Sequence, residues 1–266
     1  MSAGVTRFHD LGDFVALPRV TALRLAPDGT WLAAAVQTLS ADKKKYLTSI
    51  WRIDAAGGPA RRLTRSAEGE GSPRFLPDGS LLFTSGRADP AAKKDPDAGD
   101  VAALWLLPAA GGEARVVAAL PGGVTAAEVA RDAGAIVVGS PVLPGAGNGD
   151  SAADDARLRQ ERKDAGITAI LHESAPLRFW DHDLGPDQPR LFAVDPDQVQ
   201  ETEIGWAGGD KEPALADDTA VGAVEGAERA ANPARLRDLT PERHRYGAAL
   251  VVNGPVHTFE NIELPS

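Results

Sequence analysis

One phrase in this chain occurs twice, and that recurrence limits the possible folds more than any other feature. Val20-Thr21-Ala22-Leu23-Arg24-Leu25-Ala26-Pro27-Asp28-Gly29-Thr30-Trp31-Leu32-Ala33 reads as strand, turn, strand. Leu23 and Leu25 alternate with polar neighbours, as a half-buried strand requires. Pro27 fixes φ, Asp28 caps the turn locally and Gly29 accepts a positive φ. The phrase returns as Ser72-Pro73-Arg74-Phe75-Leu76-Pro77-Asp78-Gly79-Ser80-Leu81-Leu82-Phe83-Thr84, with Pro77 lying 50 residues after Pro27. A second phrase follows each copy. Ile50-Trp51-Arg52-Ile53-Asp54, a glycine turn at Gly57-Gly58 and Arg61-Arg62-Leu63-Thr64 is restated 54 residues later by Leu104-Trp105-Leu106-Leu107, Gly111-Gly112 and Arg115-Val116-Val117. A third, eroded copy starts at Val124. It turns at Arg131-Asp132-Ala133-Gly134, continues through Ala135 to Gly139, and takes its third and fourth strands from Arg190–Asp195 and Ala234–Thr240.

Four short strands in a period of roughly 40–50 residues mark a β-propeller blade. A single blade cannot bury both faces of its own sheet and needs a neighbour on each side. An irregular β-sandwich with chance Pro-Asp-Gly turns is the alternative, and two aligned half-units argue against it. The expected fold is therefore all-β, a partial propeller of about three four-stranded blades. Blade one spans 20–66, blade two 71–119 and blade three 124–241, and residues 246–266 are the remnant of a fourth. Blade three carries insertions at 143–189 and 197–232. The first opens with a mobile glycine loop, Pro144 to Gly149, and continues as a polar helix, Ala152 to Asp164. That helix should lie on the surface, because Leu158 is its one large aliphatic residue. The second is rich in Ala, Gly, Asp and Glu, and excursions this long are lids or linkers. Propellers close with at least four blades, so three would leave open edges, and self-association through those edges is expected.

Composition narrows the function. With 28 basic and 38 acidic residues the net charge is −10, which speaks against nucleic acid and against an anionic membrane surface as partners. There is no cysteine, so disulfides, thiolate metal sites and cysteine nucleophiles are excluded. No apolar run resembles a signal peptide or a membrane span, and a cytoplasmic setting is expected.

The repeat phrases Ala26-Pro27-Asp28-Gly29 and Leu76-Pro77-Asp78-Gly79 resemble the blades of prolyl-oligopeptidase-family serine peptidases, as do Ile50-Trp51-Arg52-Ile53 and Arg61-Arg62-Leu63-Thr64. Glu173-Ser174-Ala175-Pro176-Leu177-Arg178-Phe179-Trp180-Asp181-His182-Asp183 resembles an insertion of bacterial members of the acylaminoacyl-peptidase or dipeptidyl-peptidase type. The resemblance runs over about residues 8–241. It implies a propeller that caps a C-terminal α/β-hydrolase domain, restricts entry to short peptides and leaves catalysis to Ser, Asp and His of that domain. No family catalytic residue maps onto this chain, whose expected role is non-catalytic gating of a peptide substrate. A stand-alone TolB-like propeller that binds protein or peptide is the alternative.

No G-x-S-x-G nucleophile elbow occurs. Gly149-Asp150-Ser151 lacks the later D-x-x-H of a Gly-Asp-Ser esterase and reads as a helix start, with Asp150 or Ser151 as N-cap. Gly145-Ala146-Gly147-Asn148-Gly149 fails the dinucleotide fingerprint because position 150 is Asp150. His172-Glu173 and Asp181-His182-Asp183 match no metal-ligand spacing and read as caps and ion pairs, while His9, His244 and His257 stand alone. No cofactor or metal is expected. Lys43-Lys44-Lys45 and Lys93-Lys94, each between second and third strands, and the acidic 201–218 stretch read as solvated loop charge. Substrate contact falls to the insertion. Glu173 or Asp181 would bind a free amino terminus, and Arg178 a carbonyl or carboxylate. In the plainer reading of the same segment, Phe179 and Trp180 anchor it on the blade and its charges face water.

Overall fold

The computed structural model describes residues 10–88, 101–147, 151–171, 177–180, 182–194, 199 and 236–238. After a short helix α1 (Leu11–Ala16), the described chain forms three four-stranded antiparallel sheets. Blade one runs in the order β1 (Arg19–Leu25), β2 (Trp31–Leu39), β3 (Tyr46–Asp54) and β4 (Arg61–Arg62). Blade two repeats the meander with β5 (Glu70–Phe75), β6 (Leu81–Ser85), β7 (Ala103–Leu107) and β8 (Arg115–Ala118). In blade three β9 (Ala126–Val129) and β10 (Ile136–Val142) are followed by helix α2 (Ser151–Asp164) and a hairpin, β11 (Arg178–Phe179) and β12 (His182–Asp183), before β13 (Gln188–Val194) and β14 (Leu236–Asp238) complete the sheet. This is a partial β-propeller. The second insertion apart from Val199, the 246–266 segment and the Lys93-Lys94 pair lie outside the described residues. No helix among the described residues is long and apolar enough to cross a membrane.

The repeated turns form as their chemistry dictates. Asp28 accepts the Thr30 amide and hydroxyl, both at 2.9 Å, and Asp78 accepts the same two groups of Ser80 at 2.8 and 3.0 Å. Gly29 and Gly79 sit at φ +71° and +87°, where a side chain would be strained. The copies differ by one residue. Ala26 closes on the carbonyl of Trp31, Leu76 on that of Ser80, so Leu32 pairs with Leu25 where Leu81 pairs with Phe75.

Blade two shows why the blades stack. All five residues of β6 are buried, which a strand with one solvated face cannot be. Strand periodicity sends Leu81 and Phe83, with Trp105 of β7, to one side, where they meet Ala33 and Ile50 of blade one. It sends Leu82, Leu104 and Leu106 to the other side, against Ile136, Val138 and Phe192 of blade three. Each such side chain contributes about 1.5–3 kcal/mol of burial. Trp31 meets Phe75 edge-to-face across the first interface, with ring centres 4.8 Å apart. On the far side of blade one Val20, Leu23 and Leu25 stay exposed.

The first insertion departs from expectation in part. Helix α2 lies on the surface, as expected, and is docked there by one face, where Ser151 and Asp155 are buried and Leu158 packs on the core between blades two and three. A helix polar all round has no apolar stripe to dock, so it is held by ion pairs instead. Ser151 is already helical rather than the N-cap, and Asp150, the other N-cap candidate, lies outside the described residues. The segment before it is pinned rather than loose as far as Gly147. Ala146 is buried, Arg190 donates to the Ala146 and Gly147 carbonyls, and the Gly147 amide donates to Asp154 at 2.9 Å. Trp180 anchors nothing on the blade: it is 86% exposed at the hairpin tip, with φ +55°.

Candidate functional site

The first strands of the three blades, β1, β5 and β9, lie side by side. Each ends in a turn, and the residue two places before the turn's first residue is charged in every copy. These are Arg24 before Ala26-Pro27, Arg74 before Leu76-Pro77 and Glu128 before Ala130-Arg131. Stacking equivalent strands brings equivalent positions together. Arg74 reaches across to blade three, where Nε donates to Glu128 Oε2 at 2.7 Å and Nη2 donates to Oε1, a two-pronged pair. Its Nη1 donates to the Pro73 carbonyl at 2.8 Å. Arg24 is half-buried on β1, and its Nη1 donates to the carbonyl of Leu23 at 2.9 Å. Burial pulls the Arg24 guanidinium down from its usual range and the like charge of Arg74 adds to this, while Glu128 opposes it. This row holds two cations and one anion. Sequence reading passed over it. Its signal was the shared offset from three turns, visible only once the repeats are aligned on strand pairing.

Beyond the contacts of Arg190 and Leu158, the insertion in blade three is fastened through Asp155 and Arg159. Asp155, 1% exposed, accepts the Leu143 amide at 2.8 Å and Arg159 Nε at 2.9 Å. Arg159 also reaches the Pro141 carbonyl at 3.1 Å and Asp187 at 2.5 Å, so one guanidinium ties α2 to β10 and to the approach to β13. Gly122 lies so close to that Pro141 carbonyl that any Cβ would collide with it. Of the insertion residues expected to touch substrate, Arg178 is exposed on β11, opposite Asp183 in the hairpin register. Glu173, Asp181 and His172 lie outside the described residues, as do the side chains of Phe179, His182 and Asp183.

Two other charged places stand out among the described residues. Glu70 at the start of β5 is 2% exposed, and neither carboxylate oxygen has a hydrogen bond among the described residues. Burial raises its carboxyl above the ordinary glutamate value, against the opposing influence of Thr64, Arg62 and Arg87. Nearby, Arg87 stacks 3.9 Å from the Trp105 ring centre. On the outer edge of blade one an open groove of about 930 Å³ is lined by Trp51, Arg52, Arg61, Arg62 and Arg65 among others. Arg52 is tied there to Asp54 at 2.7 Å, and Arg62 to the Thr64 carbonyl. Among the described residues no group of three His, Asp or Glu is placed to hold a metal ion. No histidine side chain is described, so no Ser-His-Asp arrangement can be assembled from the described residues.

No protein-family model matches the chain. The uncharacterized peptidase YuxL of Bacillus subtilis (strain 168) is 30% identical over 150 residues, 56% of this chain and 21% of that protein. The chain thus spans about a fifth of the length of this curated relative. Among solved structures, the Pyrococcus horikoshii acylaminoacyl peptidase superposes with a TM-score of 0.47 at 13% identity, covering 69% of this chain and 24% of that one. The AtxE2 isopeptidase superposes with a TM-score of 0.41 at 15% identity, covering 70% of this chain and 30% of its own. Over about half of its length the chain is thus similar to part of a peptidase, in keeping with the class that its repeat phrases resemble.

Proposed function

We propose that this chain is the substrate-gating propeller portion of a prolyl-oligopeptidase-like serine peptidase acting on short peptides, and that it breaks no bond itself. The observation that carries this reading is the 30% identity to a peptidase over 150 residues. Three stacked blades whose first strands lie side by side and share a charged row are suited to the task. A sheet packed on both faces deforms little, so passage along its inner edge is limited to chains that are short and extended. The nucleophile and its base belong to a hydrolase domain, in keeping with the lack of a G-x-S-x-G elbow in this sequence.

The test compares two proteins. This chain, purified, should leave peptide anilides uncleaved. The full product of the native gene should cleave them, and its kcat/KM should fall by roughly tenfold or more from a short peptide to an unfolded protein carrying the same cleavage sequence. Cleavage by this chain alone, or equal kcat/KM for the two substrates, overturns the reading.

A further inference from the structure

We infer that Arg24, on β1 beside the Arg74–Glu128 pair, binds a carboxylate group of the peptide that passes the propeller. The inference rests on the gating reading and names a substrate feature for it.

The argument is one of donors and charge. Equivalent positions on β1, β5 and β9 hold Arg, Arg and Glu, so the row carries one excess positive charge. Arg74 is engaged at Nε, Nη1 and Nη2, twice with Glu128 and once with Pro73. Arg24 differs. A guanidinium offers five N–H donors in a planar fork and stays charged in proteins. The hydrogen bond that Arg24 makes, to Leu23, engages only Nη1. Its neighbours in the row are a like charge and a carboxylate already held by Arg74, and its burial strips part of its hydration. The group that best relieves this setting is a planar monoanion matching the fork. A carboxylate fits, whereas the second charge of a phosphate would face Glu128. A peptide offers a carboxylate in two places, its C-terminus and its Asp or Glu side chains.

Three peptides separate these sources in calorimetric titrations of this chain: acetyl-Ala-Ala-Phe with a free C-terminus, its C-terminal amide, and acetyl-Ala-Glu-Phe amide. A site for the C-terminus binds only the first about tenfold more tightly than the neutral amide, and a site for acidic side chains does so for the third. Arg24→Gln should reduce either preference to the level of the neutral amide, with the far-ultraviolet spectrum unchanged. Glu128→Gln should instead raise carboxylate affinity severalfold, because it releases Arg74, and a merely structural role for the row predicts no such gain. Equal binding of all three peptides, no binding of any, or a preference that survives Arg24→Gln overturns the inference. The test involves no cleavage. The length dependence of hydrolysis can therefore fail while the carboxylate preference stands, or the reverse.

Discussion

Replacing Asp155 by Ala should loosen the whole insertion of blade three. The carboxylate is 1% exposed and performs two tasks, accepting the amide of Leu143 and pairing with Arg159. Its loss leaves the Leu143 amide, on a residue only 5% exposed, without an acceptor, at a cost of about 1–3 kcal/mol. The charge-assisted bond to Arg159 adds roughly 1.5–3 kcal/mol. This second value falls at the low end, because Arg159 is 29% exposed and keeps Asp187 and the Pro141 carbonyl. A total of about 3 kcal/mol follows. In a chain of this size that corresponds to a fall of about 6–12 °C in Tm. Asp155→Asn keeps an acceptor for Leu143 and loses the charge, so it should cost about half as much. Urea denaturation followed by tryptophan fluorescence measures both, and trypsin should cut α2 at Arg157 or Arg162 faster in the Ala variant. An Asp155→Ala midpoint equal to that of the parent, with unchanged proteolysis, refutes the latch.

The repeated tryptophans should behave unequally. Trp105, 1% exposed between blades one and two, should cost about 3–5 kcal/mol when replaced by Ala, whereas half-buried Trp51 should cost less than half of that, and matched losses in urea melts would contradict the stacking described. Glu70 gives a pH test. Its folded pKa is raised, chiefly by burial, so the folded state binds more protons than the unfolded one just above the ordinary glutamate range. The contribution of Glu70 to stability is thus fully present below the unfolded value and is lost as pH rises through the folded one. Glu70→Gln should raise Tm at neutral pH and have a progressively smaller effect as pH falls towards the unfolded value; an effect independent of pH in scanning calorimetry would show that Glu70 is not buried as a charge.

Much of the fold was legible because it is written in local chemistry repeated in register. Asp28-Gly29 and Asp78-Gly79 demand the same turn, and the alternation on either side of each fixes which residues can face a core. The insertion was legible as an interruption and as a polar helix, but not as a latched one. The acceptor of Asp155 is the amide of Leu143, and Arg159 finds Asp187 far along the chain, contacts that no spacing announces. Trp180 misled for a related reason. An aromatic residue is expected to bury its ring, and only the tertiary arrangement shows that no neighbour covers it at the hairpin tip.

The sequence by itself determined the blades, through periodicity and turn residues that act within a few positions. Only the tertiary structure decided that Arg24, Arg74 and Glu128 form one row, since residues about fifty positions apart become neighbours when equivalent strands stack. It also decided that Arg74 pairs with Glu128 while Arg24 keeps donors to spare. Pairing depends on which residues the neighbouring blade presents to each strand, and no local spacing in the sequence sets that.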